Sequence, residues 1–493
     1  KNIHKIYLSA IVVLLFVLAG CESFLDKEPQ GALTQTTFPT SATDALLAVN
    51  ATYGTMLDVS FHSGTFPILD IMSDDARKGS NPTDQSAEIG PYDNFTFTKT
   101  GNELKSWWAT LYMGIKRANV VIEKVPAIDM DATLRDRYIA EAKFLRALFY
   151  FDLARAWGDV PLILTTNPSN NLVRSPKADV YKQIKEDLLA VITGLDERNA
   201  QPNAELGRAT KGSAKALLAK VYLFDGDFVN AEKYALEVIN SKQYGLEPLF
   251  INASSVDGDD GIEAVCEIGA IGLEAAGGDQ YANVQGVRGT PNRGWGFNRP
   301  TPNLRASFEE GDPRMKGTII DLGDVIDGII ILGDGTTPDV TKDNEGNILE
   351  TESYNRKVWT PGNNVATQFG HNRRIIRYAD VLLIAAEALN ENNKPGDALI
   401  YLNKVRERAR QGNNAILPDI TTTEKNALRN IILNERRHEL AMEGHRFWDL
   451  VRTNKAAEVL GPLGFVTGKN ELLPIPQSEI DISQGTIKQN PNW

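Results

Sequence analysis

Apolar residues recur at helical spacing over two long stretches of the chain, and the segment between them lacks this spacing. Intervals of three and four residues place apolar side chains on one face of an α-helix. Helices are predicted before residue 244 at Asp44–Leu57, Glu103–Val125, Thr133–Trp157, Ala178–Leu195, Lys211–Phe224 and Phe228–Asn240. After residue 370 they are predicted at Ile375–Asn390, Pro395–Arg410 and Thr423–Thr453. The predicted fold class is therefore mainly α.

The middle segment, residues 245–370, is rich in glycine. It holds 20 of the 40 glycines, and each costs about 1 kcal/mol inside a helix. Short strand-like runs are predicted at Ile262–Ile268, Thr318–Ile320 and Ile329–Leu332, with a hairpin turn at Asp343–Asn347. We expect an irregular insertion of loops and short strands between the two helical regions.

Two pairs of neighbouring helices carry small residues at one shared spacing. Ala219 and Ala231 are twelve residues apart, as are Ala386 and Ala398, and each pair has a glycine between its members. Small residues let two antiparallel helices approach closely, and this pattern is typical of tetratricopeptide repeats. We predict a tetratricopeptide-like helical-hairpin scaffold, with unrelated αα-hairpins as the alternative.

The first twenty residues have the features of a secretory signal. Lys1 and Lys5 precede the apolar run Ile6–Ala19, which is shorter than the roughly 20 residues that cross a bilayer. The junction Leu18-Ala-Gly-Cys21 is similar to the lipobox of bacterial lipoproteins, in which the cysteine is acylated. We predict that residues 1–20 are removed and that Cys21 carries the lipid anchor. An ordinary cleavage signal with a chance cysteine is the alternative.

Composition and charge exclude several classes of protein. The 493 residues are 42% hydrophobic and 24% charged, as in globular proteins and unlike disordered or polytopic membrane chains. The net charge of −12 would repel nucleic-acid phosphates. Two cysteines exclude a disulfide framework. Cys266 lies in an alternating run with no histidine nearby, which favours a buried small side chain over a nucleophile.

The sequence gives no support for a catalytic site. His438 and His445 are seven residues apart, about 10 Å along a helix, which is too far for both to bind one zinc ion. No serine lies in a Gly-x-Ser-x-Gly turn, and nothing selects a carboxylate pair for glycoside hydrolysis. We predict no enzyme activity and no cofactor. The acidic loop at 257–261 lacks the last glutamate of a calcium loop, but a structural calcium ion stays open as an alternative.

Longer motifs along the chain resemble the SusD/RagB family of outer-membrane nutrient-binding lipoproteins. They are Cys21–Asp26, Trp108–Tyr112, Arg146–Leu162, Arg208–Tyr222, Ile376–Leu383, Leu433–Leu450, Leu473–Pro476 and Gln489–Trp493. These motifs keep the family's order, although the chain ends in Asn-Trp where the family usually has Gly-Tyr. On this resemblance, residues 21–244 form the N-terminal helical region, 245–370 the ligand-binding insertion and 371–493 the C-terminal helical region.

The charged residues of these motifs are predicted to stabilise the scaffold. Asp152 and Arg155 are three residues apart and can pair on one helix face, and Gly158 can end that helix. A charged lattice between helices is predicted from Arg436, Arg437, Glu439, Glu443 and Arg446.

The ligand site is predicted from aromatic and polar residues on loops. Trp295 and Trp359 are the two tryptophans of the glycine-rich insertion, and Asn298 lies close to the first of them. Rings can pack on the flat faces of sugars, whose hydroxyls need oriented hydrogen-bonding partners. Packing of the two tryptophans in the interior is the alternative.

A second group of candidate ligand-binding residues comes from the resemblance. It implies that Asp74 and Arg77 form hydrogen bonds to sugar, and that Tyr92 in the following loop is an aromatic platform. The alternative is that Asp75 and Arg77 form a structural ion pair.

The resemblance implies a function in nutrient uptake. Family members are lipid-anchored at the outer membrane, capture an oligosaccharide and act as a lid for a SusC-like TonB-dependent β-barrel transporter. A peptide cargo with the same kind of partner is the first alternative, and a hydrolase or a helical-repeat assembly scaffold are further ones. No nucleic-acid partner is expected.

Overall fold

The structure is a helical scaffold with a loop-rich insertion. The computed structural model describes residues 38–493 except 62, 170, 203–204, 271–279, 339, 343, 347 and 362–369. The α-helices are α1 (Ala42–Tyr53), α2 (Ile68–Ile71), α3 (Asn102–Lys124), α4 (Ala132–Trp157), α5 (Lys177–Val191), α6 (Lys211–Phe224), α7 (Phe228–Asn240), α8 (Gln280–Gln285), α9 (Pro302–Ser307), α10 (Pro313–Thr318), α11 (Tyr378–Glu391), α12 (Pro395–Ala409), α13 (Lys425–Leu440), α14 (Arg446–Arg452), α15 (Ala456–Leu460) and α16 (Gln477–Ile482).

The strands are short and form two-stranded antiparallel sheets. They are β1 (Ala76–Gly79), β2 (Ala264–Ile268), β3 (Phe297–Pro300), β4 (Ile319–Asp321), β5 (Val325–Ile326), β6 (Ile329–Ile330), β7 (Val340–Lys342), β8 (Ile348–Thr351), β9 (Ser353–Asn355) and β10 (Arg373–Arg377). The pairs are β1 with β3, β2 with β10, β4 with β9, β5 with β6, and β7 with β8. The predicted insertion of loops and short strands is therefore confirmed.

Consecutive long helices pack side by side in a continuous row. The row runs from α3 through α4, α5, α6 and α7 to α11, which also packs against α12 and α13. The four spaced alanines of the α6–α7 and α11–α12 hairpins are fully buried, as close helix packing requires. This confirms the predicted helical-hairpin scaffold. None of the helices in the described part of the chain is long and apolar enough to cross a membrane.

Helix α4 packs between α3 and α5 in this row and is held by polar as well as apolar contacts. Arg146 donates two hydrogen bonds to Asp187 of α5, at 2.8 and 2.7 Å, and one to Asn119 of α3, at 2.8 Å. Trp157 is fully buried, and its Nε1 donates to the Pro474 carbonyl at 2.9 Å. The motif that contains both residues therefore supports the scaffold, and Asp152 and Arg155 of the same motif form the predicted pair.

The insertion shares its hydrophobic core with the scaffold. Val265, Val284 and Phe297 belong to the same buried cluster as Leu145 of α4. Strand β10 pairs with β2 and leads directly into α11, so the two parts are joined by main-chain hydrogen bonds as well as by packing.

Two predicted helix boundaries are wrong, and both errors arise from tertiary contacts. Residues 375–377, predicted to begin a helix, belong to β10 because they pair with β2. The predicted helix Thr423–Thr453 is two helices separated by a turn at 441–445, where Met442 and Gly444 have φ of 64° and 77°. The Gly444 N–H donates to the Asp70 carboxylate at 2.8 Å, a bond that spacing along one helix cannot reveal.

A buried cluster of ion pairs joins the insertion to the last helices, and we call it the Arg377 network. It comprises Glu263, Arg314, Lys357, Arg377, Arg408, Glu435, Glu439 and Glu443, whose side chains are at most 9% exposed. Arg377 contacts Glu263 at 2.8 Å, Glu439 at 2.6 Å and Glu443 at 2.9 Å. Of the predicted charged lattice, Glu439 and Glu443 belong to this network. The other three residues form separate buried pairs, Arg436 with Asp380 and Asp449, and Arg437 and Arg446 with Asp74.

The network keeps its carboxylates ionised in the interior. Burial raises the pKa of Glu443, but Arg377 and Lys357 outweigh burial and hold that pKa at about 2. A carboxyl whose pKa is lower when folded contributes stability above its unfolded pKa, which is about 4.3 for Glu. That contribution is lost as the pH falls toward about 2.

We predict that Arg377→Met lowers the free energy of unfolding by about 3–5 kcal/mol at pH 7, because three buried carboxylates each lose one of their cationic partners. The difference in unfolding free energy from the unmodified protein should narrow as the pH falls from about 4.3, the pKa of an unfolded Glu, toward about 2, the pKa of Glu443 in the network. Urea denaturation at several pH values measures both effects. Arg135→Met is the matched control, since Arg135 forms an exposed pair with Asp136 at 3.6 Å and should cost less than about 1 kcal/mol. An equal loss at pH 7 and pH 3 would contradict the electrostatic explanation.

Candidate ligand-binding cleft

An open cleft of about 550 Å³ lies between the insertion and the loop that follows β1. We call it the Trp295 cleft, and its side chains are those of Phe66, Asp84, Gln85, Arg288, Asn292, Trp295, Phe297 and Asp334. Two smaller cavities among the described residues hold only about 30 and 50 Å³. A groove of about 490 Å³ beside α4 and α5 has no aromatic lining among the described residues. The Trp295 cleft therefore combines room with both aromatic and polar groups.

A tight turn presents the Trp295 ring to solvent. The Trp295 N–H donates to the Asn283 carbonyl at 2.9 Å, and a Cβ on Gly294 would lie 2.3 Å from that same oxygen. Gly296 has a φ of 75°, which glycine adopts at little cost. The two glycines thus let the backbone turn closely on both sides of Trp295, whose side chain is 43% exposed.

Two buried phenylalanines support this ring. The Phe66 and Phe297 ring centroids are 4.7 Å apart, and the Phe66 and Trp295 centroids are 6.5 Å apart. Phe66 and Phe297 are only 7% and 4% exposed. Among the described residues of the cleft, Trp295 is therefore the one aromatic side chain with a substantial exposed surface.

An ion triad forms the polar wall of the cleft. Arg288 contacts both Asp84 and Asp334, the latter at 2.8 Å. Its Nη1 also donates to the Ser80 hydroxyl at 2.6 Å. The triad ties the loop after β1 to two separate parts of the insertion.

The carboxylates of the triad are ionised near neutral pH. Burial raises the pKa of Asp334, but hydrogen bonds from Thr337 and Thr336 lower it to about 2. The hydrogen bond from Arg288 lowers the pKa of Asp84 below its usual value. The cleft therefore offers an apolar ring beside fixed charges, an arrangement suited to a ligand with both flat apolar faces and hydroxyl groups.

Of the residues predicted to bind ligand, Trp295 lines the cleft and Asn298 lies behind it. Asn298 is fully buried and donates to Gln285 at 2.7 Å and Asp70 at 3.2 Å. Trp359 is 9% exposed in the apolar core of the insertion, where its Nε1 donates to Asp327 at 2.7 Å.

The structure places the second predicted group away from this cleft. Asp74 is buried and paired with Arg446 at 2.8 Å and Arg437 at 2.9 Å. Arg77 donates to the carbonyl of Ala76 at 3.0 Å.

The alternative partner for Arg77 also differs from the prediction. Asp75 pairs with Arg437 at 2.6 Å rather than with Arg77.

Tyr92 is 1% exposed and stacks on Phe97 at 4.7 Å, so its ring face is covered.

Several residues of the cleft were not selected from the sequence. Asp84, Arg288 and Asp334 meet only in the folded chain, and each is an ordinary charged residue of a loop. One available signal was the loop between β1 and α3, which contains Asp84 and for which the family resemblance implies a ligand contact.

Residues that could bind a metal or act as a nucleophile are already engaged elsewhere. Among the described residues, Glu309, Glu435 and His438 form the one group close enough to share a metal ion. Both carboxylates pair with Arg406, at 2.6 and 2.8 Å. Burial raises the pKa of the Cys266 thiol to about 12, so it is protonated near neutral pH. In the acidic loop at 257–261, Asp259 pairs with Arg374 at 2.5 Å.

Known protein families match both halves of the chain. The model described as "SusD family" matches residues 267–493, and that described as "Starch-binding associating with outer membrane" matches residues 23–223.

Individual relatives match along nearly the whole length. A SusD-like protein of Formosa agariphila is 31% identical over 99% of this chain and 100% of its own. A solved laminarin-binding SusD-like protein has a TM-score of 0.78 at 32% identity, covering 92% of this chain and 100% of that one. Surface glycan-binding protein A of Bacteroides thetaiotaomicron, solved with laminarihexaose, has a TM-score of 0.75 at 27% identity, with coverage of 92% and 100%. The predicted resemblance is confirmed, and the chain belongs to the SusD family.

Proposed function

We propose that this protein captures an oligosaccharide in the Trp295 cleft at the cell surface. The observation that carries the proposal is the exposed Trp295 ring beside the Arg288 triad, in a cleft large enough for a small-molecule ligand. Two similar proteins that share the fold are described as laminarin-binding or were solved with laminarihexaose. The protein binds its cargo without catalysing a reaction on it.

Within the cleft, the side chains have different roles. Trp295 packs against a sugar face, and Asp84 and Asn292 form hydrogen bonds to hydroxyl groups. Asn298 supports the cleft from behind through its bonds to Gln285 and Asp70. Asp74, Arg77, Tyr92 and Trp359 are not assigned a ligand contact, because each is engaged outside the cleft.

The proposed setting is the outer membrane. Cys21, which lies outside the described residues, carries the lipid anchor, and the protein acts as a lid over a SusC-like TonB-dependent barrel. Capture by the lid and transport by the barrel are separate tasks, so the binding protein needs no catalytic group. Arrays of glycans and of peptides test the cargo, and a protein that binds peptides alone would support the alternative.

We predict that Trp295→Ala weakens glycan binding by about 1–3 kcal/mol, the usual range for losing a central contact, with little change in the melting temperature. Isothermal titration calorimetry and thermal melting measure the two effects. Trp359→Ala is the matched control, because its ring packs in the interior of the insertion, so it should lower the melting temperature by opening a cavity. Full-strength binding by the Trp295→Ala protein would place the site elsewhere.

We predict that Cys21→Ala releases the protein from the outer membrane, because the acyl chains that supply the membrane affinity are lost. Cell fractionation and mass spectrometry of the mature N-terminus measure anchoring and acylation. Cys266→Ala is the control and should leave the protein on the membrane. A Cys21→Ala protein that remains bound through a detergent-sensitive anchor would contradict the prediction.

We predict that the anchored protein co-purifies with a large β-barrel from mild detergent, since stable interfaces bury about 1,200–2,000 Å². Deleting the protein should reduce uptake of long oligosaccharides more than of short ones, which can enter the barrel without prior capture.

Overnight incubation of purified protein with a bound glycan, followed by mass spectrometry, should show no cleavage. Cleavage that one carboxylate substitution abolishes without unfolding the chain would make the protein an enzyme.

A further inference from the structure

We propose that the Trp295 cleft selects uncharged oligosaccharides and rejects glycans that carry carboxylate or sulfate groups. This inference rests on the proposed function, since it specifies the class of ligand for the same cleft. It is carried by the number, positions and hydrogen bonds of the charged groups around Trp295.

The described lining of the cleft has an excess of negative charge. It contains two carboxylates, Asp84 and Asp334, and one guanidinium, Arg288. Both carboxylates are ionised near neutral pH, as the lowered pKa values of Asp84 and Asp334 require. A carboxylate or sulfate on a ligand would therefore enter a cleft that is negative overall, on a chain whose net charge is −12.

The one guanidinium of this described lining is already committed to the protein. Arg288 Nε forms an ion pair with Asp334 at 2.8 Å, while Nη1 donates to Asp84 and to the Ser80 hydroxyl, the latter at 2.6 Å. An anionic group could pair with Arg288 only by competing with two carboxylates that are fixed beside it. Arg288 therefore positions the cleft walls and does not serve as an anion receptor.

The nearby lysine of β1 is also committed. Lys78 is 8% exposed, and its Nζ donates to the carbonyls of Gly79, Asn81 and Asp84 at 2.7, 3.0 and 2.9 Å. These three bonds use all the donors of an ammonium group. The internal segments outside the described residues contain no lysine or arginine, so their composition adds no basic side chain.

The two carboxylates differ in what they can offer a ligand. Both oxygens of Asp334 accept hydrogen bonds within the protein, from Thr336 and Thr337, and Oδ2 also pairs with Arg288. The bonds of Asp84 to Ser80 and Arg288 use Oδ2 alone, and none of the hydrogen bonds among the described residues involves its Oδ1. Asp84 Oδ1 is thus a free acceptor for a sugar hydroxyl, whereas a ligand carboxylate has no proton to donate to it.

Electrostatic repulsion of this kind has a measurable size. Two like charges about 4 Å apart weaken association roughly fivefold in water, and by more where water is excluded. An anionic oligosaccharide that carries several such charges should therefore bind at least about tenfold more weakly than its neutral counterpart.

The first test compares neutral glycans with their C6-oxidised derivatives, which carry carboxylates in place of primary hydroxyls. Laminarihexaose and a panel of neutral oligosaccharides serve as probes, measured by calorimetry at low and high salt. We expect at least one neutral probe to bind and its oxidised form to bind at least tenfold more weakly. At high salt, the affinity for the oxidised form should be partly restored. Equal binding of a neutral probe and its oxidised form would overturn the inference while leaving the proposed function intact. Failure of every neutral probe would overturn the proposed function itself, and the inference with it.

The second test removes the charge from the cleft. Asp84→Asn should lower the ratio of the dissociation constants of the oxidised and neutral probes at least about fivefold. Glu186→Gln is the matched control, because it removes the same charge from an exposed position on α5, and it should leave this ratio unchanged. Thermal melting of both variants establishes that they fold. If folded Asp84→Asn protein discriminates as strongly as the unmodified protein, the charge of Asp84 is not the cause and the assignment is overturned.

Discussion

The arrangement of the whole molecule depends on the buried pairing of Arg377 with three glutamates. Arg377 ends β10, which pairs with the insertion, and its partners come from the insertion, from the last turn of α13 and from the turn that follows α13. Burying this many charges is costly unless each is paired and hydrogen-bonded. The same requirement makes the network specific for one arrangement of strands and helices, because a shifted strand or helix would leave a charge unpaired in the interior. The helical row and the irregular insertion are thereby held in one fixed relation, and the Trp295 cleft lies at the edge of that insertion.

Helices with strong apolar periodicity could be predicted from the sequence, and α6 and α7 have the predicted bounds. Their local pattern and their tertiary packing favour the same conformation. The errors occur where a distant contact overrides the local pattern. Residues 375–377 read as helical but pair with β2, and the end of α13 turns because Glu443 and Gly444 reach partners far away in the chain.

The cleft was predictable only in part, and for a physical reason. Trp295 stands out in the sequence because a tryptophan between two glycines is poorly placed for a core. The charged residues that line the cleft with Trp295 do not stand out in the sequence, since Asp84 and Arg288 are about two hundred residues apart and belong to loops. Trp359 has the same residue type in the same insertion but packs inside it. Composition can therefore suggest aromatic residues as candidates for a site, whereas only the folded chain determines which of them faces solvent.

Trp295, the one exposed ring among the described residues of the cleft, also bears on how a polymer would travel through it. A surface with several rings fixes a sugar chain in one register, since every ring must meet a face at the same time. With one ring, each successive sugar of a uniform polymer presents an equivalent face, and neighbouring registers have nearly equal energy. Moving by one unit then breaks one stacking contact and forms another of the same kind. Such a surface holds a chain while letting it slide, which suits the proposed delivery of cargo to a transporter.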